Sequence, residues 1–533
     1  MSIKNVRYRI QFFLFLMLVG ISGYTCGSAA PEQQAPTIVT TENEGLAVLK
    51  VVVPATIKTA LTTRWQKLEI SGVETGKAVT FTSQGERYEN YSLFIAKLPA
   101  GKYKLTAVSS TNTTQASGGV QTSAASLKLD GGRSFEVVGG HISDLGTLLT
   151  LPGEYGGAHR QGSWRHYQDS QNTQILHTRS PIESAQLMRV IQQKAPALAI
   201  LDDVRVWGVT ENVKLSEIPR LTQNSSAKYY APLPLSSGEM YAGEEVGQIR
   251  QRDTKGEWSW LNTGLTSAIS SLDVLDDGSL LAGARHGIIM QKKKDSDQWI
   301  GYPLPFPDFR VVAISHGSRG VTATLYDGYK LIVISTPELK NNPQWSEMKG
   351  IDFSGSSGTA IRARTTKSGF SLLTTTVGWS MKSKVYHYDD ATKLWADVPL
   401  ATNWSGTTGI TDLAQGGTIF QALGKTMHIS ADNGKSWTEF PTPGNNIQIL
   451  QMLTEKVGYT QKLEAITGGN EYKVSLWQTT DGAKTWTNFG MLPSRLANIF
   501  EINPHELAAK SLEGKYFRSK DGGQSWTEVF YFD

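Results

Sequence analysis

Four arginines stand where a strand begins or a turn ends in the C-terminal two-thirds of the chain: Arg285, Arg310, Arg362 and Arg495. A guanidinium presents parallel N–H groups that match the two oxygens of a carboxylate. Several of them around one opening would grip an acidic ligand. Trp379 adds an indole plate on which a sugar or a side chain could stack. Asp327, Glu471 and Tyr472 add two carboxylates and a phenol, groups that can give or take a proton in catalysis. Glu471 and Tyr472 are neighbours, and neighbours on a strand point to opposite faces, so they pair only if a turn rotates one of them. Tyr229, Glu244, Glu245, His286 and Glu513 occupy comparable positions. His159, His166 and His177 fall at spacings of seven and eleven, which match no common metal-ligand pattern. Neither a metal nor a cofactor is expected.

Strands and turns must hold these groups. Residues 269–302 show the unit: Ile269 to Leu275, an Asp276-Asp277-Gly278-Ser279 turn, Leu280 to Ala284, an Arg285-His286-Gly287 turn, Ile288 to Lys293, and Trp299 to Tyr302. The Asp-Asp-Gly-Ser stretch is a strong hairpin signal. Trp260, Trp299, Trp345, Trp395, Trp437, Trp486 and Trp526 recur at intervals of 39 to 50 residues, each opening the last strand of such a unit. A period of that size marks a propeller or array. The expected fold is therefore all-β, with residues 204–533 forming a seven-bladed β-propeller. The last unit already holds four strands, so closure of the ring stays open; Val204 to Val209 offers an extra strand at the seam. Turns between strands three and four share one face. Loops between blades and turns between strands two and three share the other, and the residues named above fall there.

Three stretches repeat one design: Ser430-Ala-Asp432-Asn-Gly434-Lys-Ser436-Trp437, Thr479-Thr-Asp481-Gly-Ala483-Lys-Thr485-Trp486 and Ser519-Lys-Asp521-Gly-Gly523-Gln-Ser525-Trp526. The Asp accepts hydrogen bonds from its own turn, the Gly permits a conformation that a Cβ opposes, and the Trp wedges between sheets. Ala483 departs from the Gly position. The pattern resembles the Asp-box, or BNR repeat, of sialidases, sortilin-type receptors, xyloglucan-active hydrolases and the photosystem II assembly propeller. The resemblance implies that Asp432, Asp481 and Asp521 form turns far from the ligand face and catalyse nothing. It also implies two uses for the opposite face: holding a protein or glycan partner, or glycoside hydrolysis. The sialidase Tyr/Arg-Ile-Pro signature is absent, since Glu217-Ile218-Pro219-Arg220 carries its Arg on the wrong side.

Upstream, Lys4, Arg7 and Arg9 precede an apolar run from Phe12 to Ile21 and then small residues. That is the layout of a secretory signal, here residues 1–26, and the run is too short to span a bilayer. Cys26 is the single cysteine of 533 residues. Two readings stay open for it: the acylated residue of a bacterial lipoprotein, or a residue lost by cleavage near Ala29 or Ala30. Residues 27–44 read as a tether. Alternating strands over 45–151, including Leu98-Pro-Ala-Gly-Lys-Tyr-Lys-Leu-Thr-Ala-Val108, resemble the transthyretin-like, carboxypeptidase-regulatory-like β-sandwiches of exported proteins, which implies a stalk. Residues 152–203 read as a linker. In it Ser180-Pro181-Ile182-Glu183 forms a capping box that starts a helix over 181–194, with Leu187, Met188 and Ile191 towards a neighbour. The net charge is +4, with Lys292-Lys293-Lys294 as the one run, which leaves no nucleic-acid footprint. The functional expectation is an exported, envelope-anchored, non-catalytic binding protein; the alternative is an exported glycoside hydrolase.

Overall fold

The computed structural model describes residues 43–529 apart from 53–64, 84–90, 117–118, 130–133, 153–172, 195–203, 207–232, 354–357, 378–381, 402–408, 468–470, 494–495, 504–505, 512–515 and the single positions 236, 238, 245, 256, 341 and 415. The signal, the expected tether up to residue 42, Cys26, His159, His166, Tyr229, Glu245, Trp379, Arg495 and Glu513 lie outside the described residues; Glu44, expected in the tether, opens the first strand.

From Leu233 onward the chain is a β-propeller of seven successive four-stranded antiparallel sheets among the described residues, each in simple sequence order. We number these blades 1 to 7: 233–262, 269–303, 310–352, 358–398, 410–441, 447–491 and 496–529. The sheets are buried on both faces, so the middle strands read as apolar runs rather than alternating ones. Leu280–Ala284 is an example; Gly320–Tyr326 is equally buried but carries Thr322 and Thr324 between its apolar residues.

One apolar cluster fills each junction from blades 1–2 to blades 6–7. Trp299, Trp345, Trp395, Trp437, Trp486 and Trp526 each pack into the cluster shared with the preceding blade. Blade 1 differs. Its outer strand opens at Trp258, not Trp260 (Trp258–Asn262), and the Trp260 ring lies under the Arg250 guanidinium at 4.8 Å. Among the described residues, blade 1 meets blade 7 through charges: Arg252 of blade 1 meets Glu506 of blade 7 at 3.9 Å, and Arg518 of blade 7 holds the same carboxylate.

The N-terminal unit is a sandwich of two five-stranded sheets. Glu44–Val52 lies between antiparallel Tyr91–Pro99 and parallel Ile142–Pro152. The second sheet is built on the long strand Gly101–Ala116. Tyr103 and Leu105 enter the core between the sheets with Leu49, Phe94 and Leu148. Two strands from beyond residue 151 belong to the sandwich. Thr173–Thr178 pairs antiparallel with Ile142–Pro152, and Val204–Val206 pairs parallel with its start. The seam strand expected at Val204 is thus a sandwich edge. A parallel pairing needs a crossover, and the helix Pro181–Lys194 lies on the connection that supplies it.

That helix joins the two units. Leu187, Met188 and Ile191 pack on the outer face of the first sheet, with Leu46, Val48, Tyr91, Leu93 and Ile142, and Val246 of blade 1 enters the same cluster. The opposite side of the helix meets the propeller. Ile182 packs into the junction of blades 1 and 2. The Gln186 side-chain amide donates to the carbonyls of His286, Gly287 and Leu304 at 2.9, 3.1 and 3.1 Å. The sandwich is therefore docked on the propeller rather than held away from it as a stalk.

Candidate functional site

The strand order sets two faces. The turn after the inner strand of blade 4 meets the repeated Asp turn of blade 5, where the Asn433 amide donates to Ser368 Oγ at 3.4 Å. The turns between strands one and two thus share a face with the Asp turns. The opposite face carries the turns between strands two and three.

In the Asp turns, Asp432 Oδ1 accepts from Ser430 Oγ at 2.8 Å and from Ser436 N at 2.9 Å, and Oδ2 accepts from Ser436 Oγ at 2.6 Å. Asp481 with Thr479 and Thr485, and Asp521 with Ser519 and Ser525, repeat the arrangement. The hydrogen bonds from Ser436 and Ser430 favour the carboxylate and hold Asp432 down at about 2. Asp521 is lowered in the same way. Such groups stay ionised and spend their oxygens on the turn, which suits neither an acid catalyst nor a metal ligand. Two consecutive residues follow with positive φ: Asn433 and Gly434 at 59° and 79°, Gly482 and Ala483 at 79° and 63°, Gly522 and Gly523 at 72° and 104°.

On the opposite face, the corner at blades 1 and 2 is occupied by the protein itself. Arg285 lies over the Tyr91 ring at 5.4 Å, and the His286 ring meets the edge of the same tyrosine at 5.5 Å. Glu244 is buried and pairs with Arg250 at 3.3 Å. Lys50 of the sandwich and Glu183 of the helix form an ion pair at 3.6 Å, both fully enclosed. Glu183 also accepts from Thr266 N and Ser267 N at 2.8 Å each, and Lys50 donates to Ser267 Oγ at 2.9 Å. Glu183 therefore grips the propeller instead of turning back as a capping-box partner. Burial pushes its carboxyl up, but Lys50 and the hydrogen bonds from Ser267 and Thr266 outweigh that and hold it below the ordinary value. Arg285, expected at an open rim, sits in this interface.

Further round that face, Asp327 Oδ1 accepts from Tyr329 N at 2.7 Å and from Lys330 N at 2.6 Å. The carboxylate expected to act in catalysis caps its own hairpin. Arg310, at the start of the inner strand Arg310–Gly317, lies over the Tyr326 ring at 5.5 Å. Glu471 and Tyr472 open the strand Glu471–Thr479 as successive residues of a regular ladder, opposite Thr467 and Ile466. Successive residues of a strand alternate between its two faces.

The channel brings together a set that the sequence reading had not assembled. Arg362 donates to Asp412 Oδ1 across blades 4 and 5 at 2.7 Å, and Asp412 Oδ2 accepts from Met452 N of blade 6 at 2.7 Å. Arg362, expected to face a ligand, is partly exposed and pairs with Asp412, which in turn ties blade 5 to blade 6. His316 of blade 3 stands between Asp273 and Asp276 of blade 2, at 2.8 and 3.2 Å. The hydrogen bond to Asp273 raises its pKa to about 9 against the opposing effect of burial, so the imidazolium is a fixed charge at neutral pH. Thr365 Oγ1 donates to His316 O at 2.9 Å, and the Gln451 side chain bonds both the carbonyl and the amide of Ile499 at 2.6 and 3.1 Å. These contacts form a polar belt from blade 2 to blade 7. No cluster of three His, Cys, Asp or Glu suited to a metal occurs among the described residues. The sequence signal for the belt was present in Asp273, His316, Arg362 and Asp412, ionisable residues set among the apolar and small residues of the inner strands.

No protein-family model matches the chain, and no curated protein matches it. Among solved structures, the chain is similar to one titled the crystal structure of the mitotic checkpoint complex, with 13% identity, 57% of this chain and 88% of that one covered, and a TM-score of 0.38. It is also similar to virginiamycin B lyase from Staphylococcus aureus with quinupristin, with 12% identity, 56% and 94% coverage and a TM-score of 0.35. YCF48 from Cyanidioschyzon merolae gives 12% identity, 49% and 85% coverage and 0.33. Scores of this size leave the fold resting on the strand pairing described above, and they carry no activity across.

Proposed function

We propose that this chain is an exported, non-catalytic binding or assembly protein of the cell envelope. In this reading it belongs with the Asp-box propellers and holds a protein or glycan partner on the part of the face around Arg310 that the sandwich leaves uncovered. Cys26 carries the lipid anchor, and stable attachment needs more than one acyl chain. The observation that supports the reading best is how the acidic groups are spent. Asp327 caps a turn, Asp412 bridges two blades, and Asp273 holds His316. Glycoside hydrolysis needs two carboxyl groups facing one another across a bond, and these are tied to the scaffold instead.

The test is retention from envelope extracts by the full mature chain, compared with Arg310→Glu. The reading expects a partner that the wild type retains and the variant loses. Turnover of fluorogenic sialosides or β-glucan oligosaccharides, abolished by Asp327→Asn, would favour a hydrolase. Radioactive palmitate should label the wild type and not Cys26→Ala; equal labelling ends the anchor proposal.

A further inference from the structure

Ser368 is an exposed residue in the turn between strands one and two of blade 4, on the face that carries the Asp turns. Behind it stand two buried residues, Ser371 and His387, which are cross-strand partners in one ladder. His387 Nε2 lies 3.1 Å from Ser368 Oγ, and its Nδ1 lies 2.9 Å from Ser371 Oγ. The lack of a side chain at Gly369 permits this approach, since a Cβ there would lie 1.8 Å from Tyr388 O. The Asn433 amide of blade 5 already donates to Ser368 Oγ at 3.4 Å. The hydroxyl hydrogen of Ser368 is left for Nε2, and the ring proton sits on Nδ1 towards Ser371. Burial opposes a charge on the ring. Asp389 and Asp390 favour one, Arg319 and Lys435 oppose it, and the balance holds the His387 pKa below its ordinary value. Both carboxylates are engaged: Asp389 accepts from Ala391 N and Thr392 N, and Asp390 is held by Ser318 and Arg319. The imidazole is thus a neutral base at neutral pH, joined to a hydroxyl at the surface and steadied from behind.

We propose that Ser368 is a covalent acceptor for a short acyl group delivered by an activated ester, with His387 as its base and Ser371 as the positioning residue. A nucleophile within hydrogen-bond reach of a base that a third group orients is the arrangement of an activated serine. Ser368 Oγ attacks the ester carbonyl carbon while Nε2 takes the hydroxyl proton. The carbonyl oxygen gains charge, and the Asn433 amide is the donor at hand for it. Collapse of the adduct breaks the bond from the carbonyl carbon to the alcohol oxygen, and His387 returns the proton to the departing alcohol. The products are an O-acylserine and the free alcohol, with nothing oxidised or reduced. Acyl uptake modifies the protein itself. It goes beyond the binding proposed above, lies on the other face, and is independent of Arg310.

The experiment exposes the full chain to p-nitrophenyl acetate and to a fluorophosphonate probe, and maps the modified residue by peptide mass spectrometry. The proposal expects a stoichiometric burst of p-nitrophenolate and a label on Ser368, both lost when the chain is denatured in urea. Ser368→Ala should abolish the burst. His387→Gln should slow it by about a hundredfold, the loss of a general base. Ser371→Ala should move the pH at which the burst rate levels off, because Nδ1 loses its partner. No burst and no label on the wild type would overturn the site. So would a label on another residue, equal labelling of native and denatured chain, or unchanged labelling of His387→Gln. The native and denatured wild-type chains decide the matter even if the variants do not fold.

Discussion

At the scale of single residues, the Asp turns show how little freedom a short motif leaves. A Cβ added at Gly434 would lie 2.6 Å from Val398 Cγ1 and 2.7 Å from Pro399 O, at a φ of +79°. Gly434→Ala should therefore cost about 2–3 kcal/mol in urea denaturation, combining left-handed strain with overpacking. Ala483 already carries a Cβ at a φ of +63° in the equivalent place. Ala483→Gly relieves strain, loses a buried methyl and gains unfolded-state entropy, so its net change should stay within about 1 kcal/mol. A similar cost for both would mean that the turns are not equivalent.

The charged residues give pH signatures of opposite sign. The folded pKa of Asp432 is depressed to about 2, so its stabilising contribution is present above the unfolded value and disappears as pH falls from about 4 to about 2. His316 is raised to about 9; its contribution is complete below the unfolded value near about 6.5 and is lost as pH rises through about 9. Stability measured between those limits should fall with rising pH in the wild type more steeply than in His316→Gln. Identical slopes would remove the ion pairs with Asp273 and Asp276.

At the scale of elements, the helix Pro181–Lys194 shows what a sequence can and cannot disclose. Ser180-Pro181 at its start and the Ala195-Pro196 stop after it give its limits, and the spacing of Leu187, Met188 and Ile191 gives the face it buries. Its second task is invisible in the chain because the partners of Glu183 are Lys50, Thr266 and Ser267, far away on both sides. Residue types at a distance do not show who meets whom. The same limit misplaced Arg285, which reads as a rim residue until Tyr91 is brought over it. The Asp turns were legible in blades 5 to 7 because their letters are present, with Ala483 the one departure. Two others were missed. Asp253 accepts from Lys255 N and Glu257 N, and Asp389 from Ala391 N and Thr392 N. Asp253 stands five residues before Trp258, as Asp432 does before Trp437, and that spacing alone was the available signal.

Removing one member of the enclosed pair leaves the other uncompensated. Glu183→Ala should destabilise the chain by about 3–5 kcal/mol, and Lys50→Met combined with Glu183→Leu should recover much of the loss. Denaturation of the two variants checks this; additive losses would show that the ion pair is not the feature holding the sandwich to blades 1 and 2. A wedge offers a second check. A Cβ on Gly301 would sit 2.3 Å from Ile182 Cδ1, so Gly301→Val should loosen the helix and raise the rate of amide hydrogen exchange within Pro181–Lys194.

At the scale of the whole molecule, the propeller is a ring with unequal joints. Six junctions hold apolar clusters with an indole in each. The seventh, among the described residues, holds Arg252, Glu506 and Arg518. Apolar joints are indifferent to salt, whereas partly exposed ion pairs are screened by it. The joint that brings together the two ends of the propeller is also the one where local opening should begin. Amide hydrogen exchange at low and at about 1 M salt measures this directly. The strands Gln248–Arg252 and Glu506–Ser511 should lose protection first as salt rises, and Glu506→Gln should reproduce that loss at low salt, while Leu280–Ala284 and Gly320–Tyr326 stay protected. Uniform protection across all seven sheets, or first opening at a junction that contains a tryptophan, would contradict a ring closed by charge.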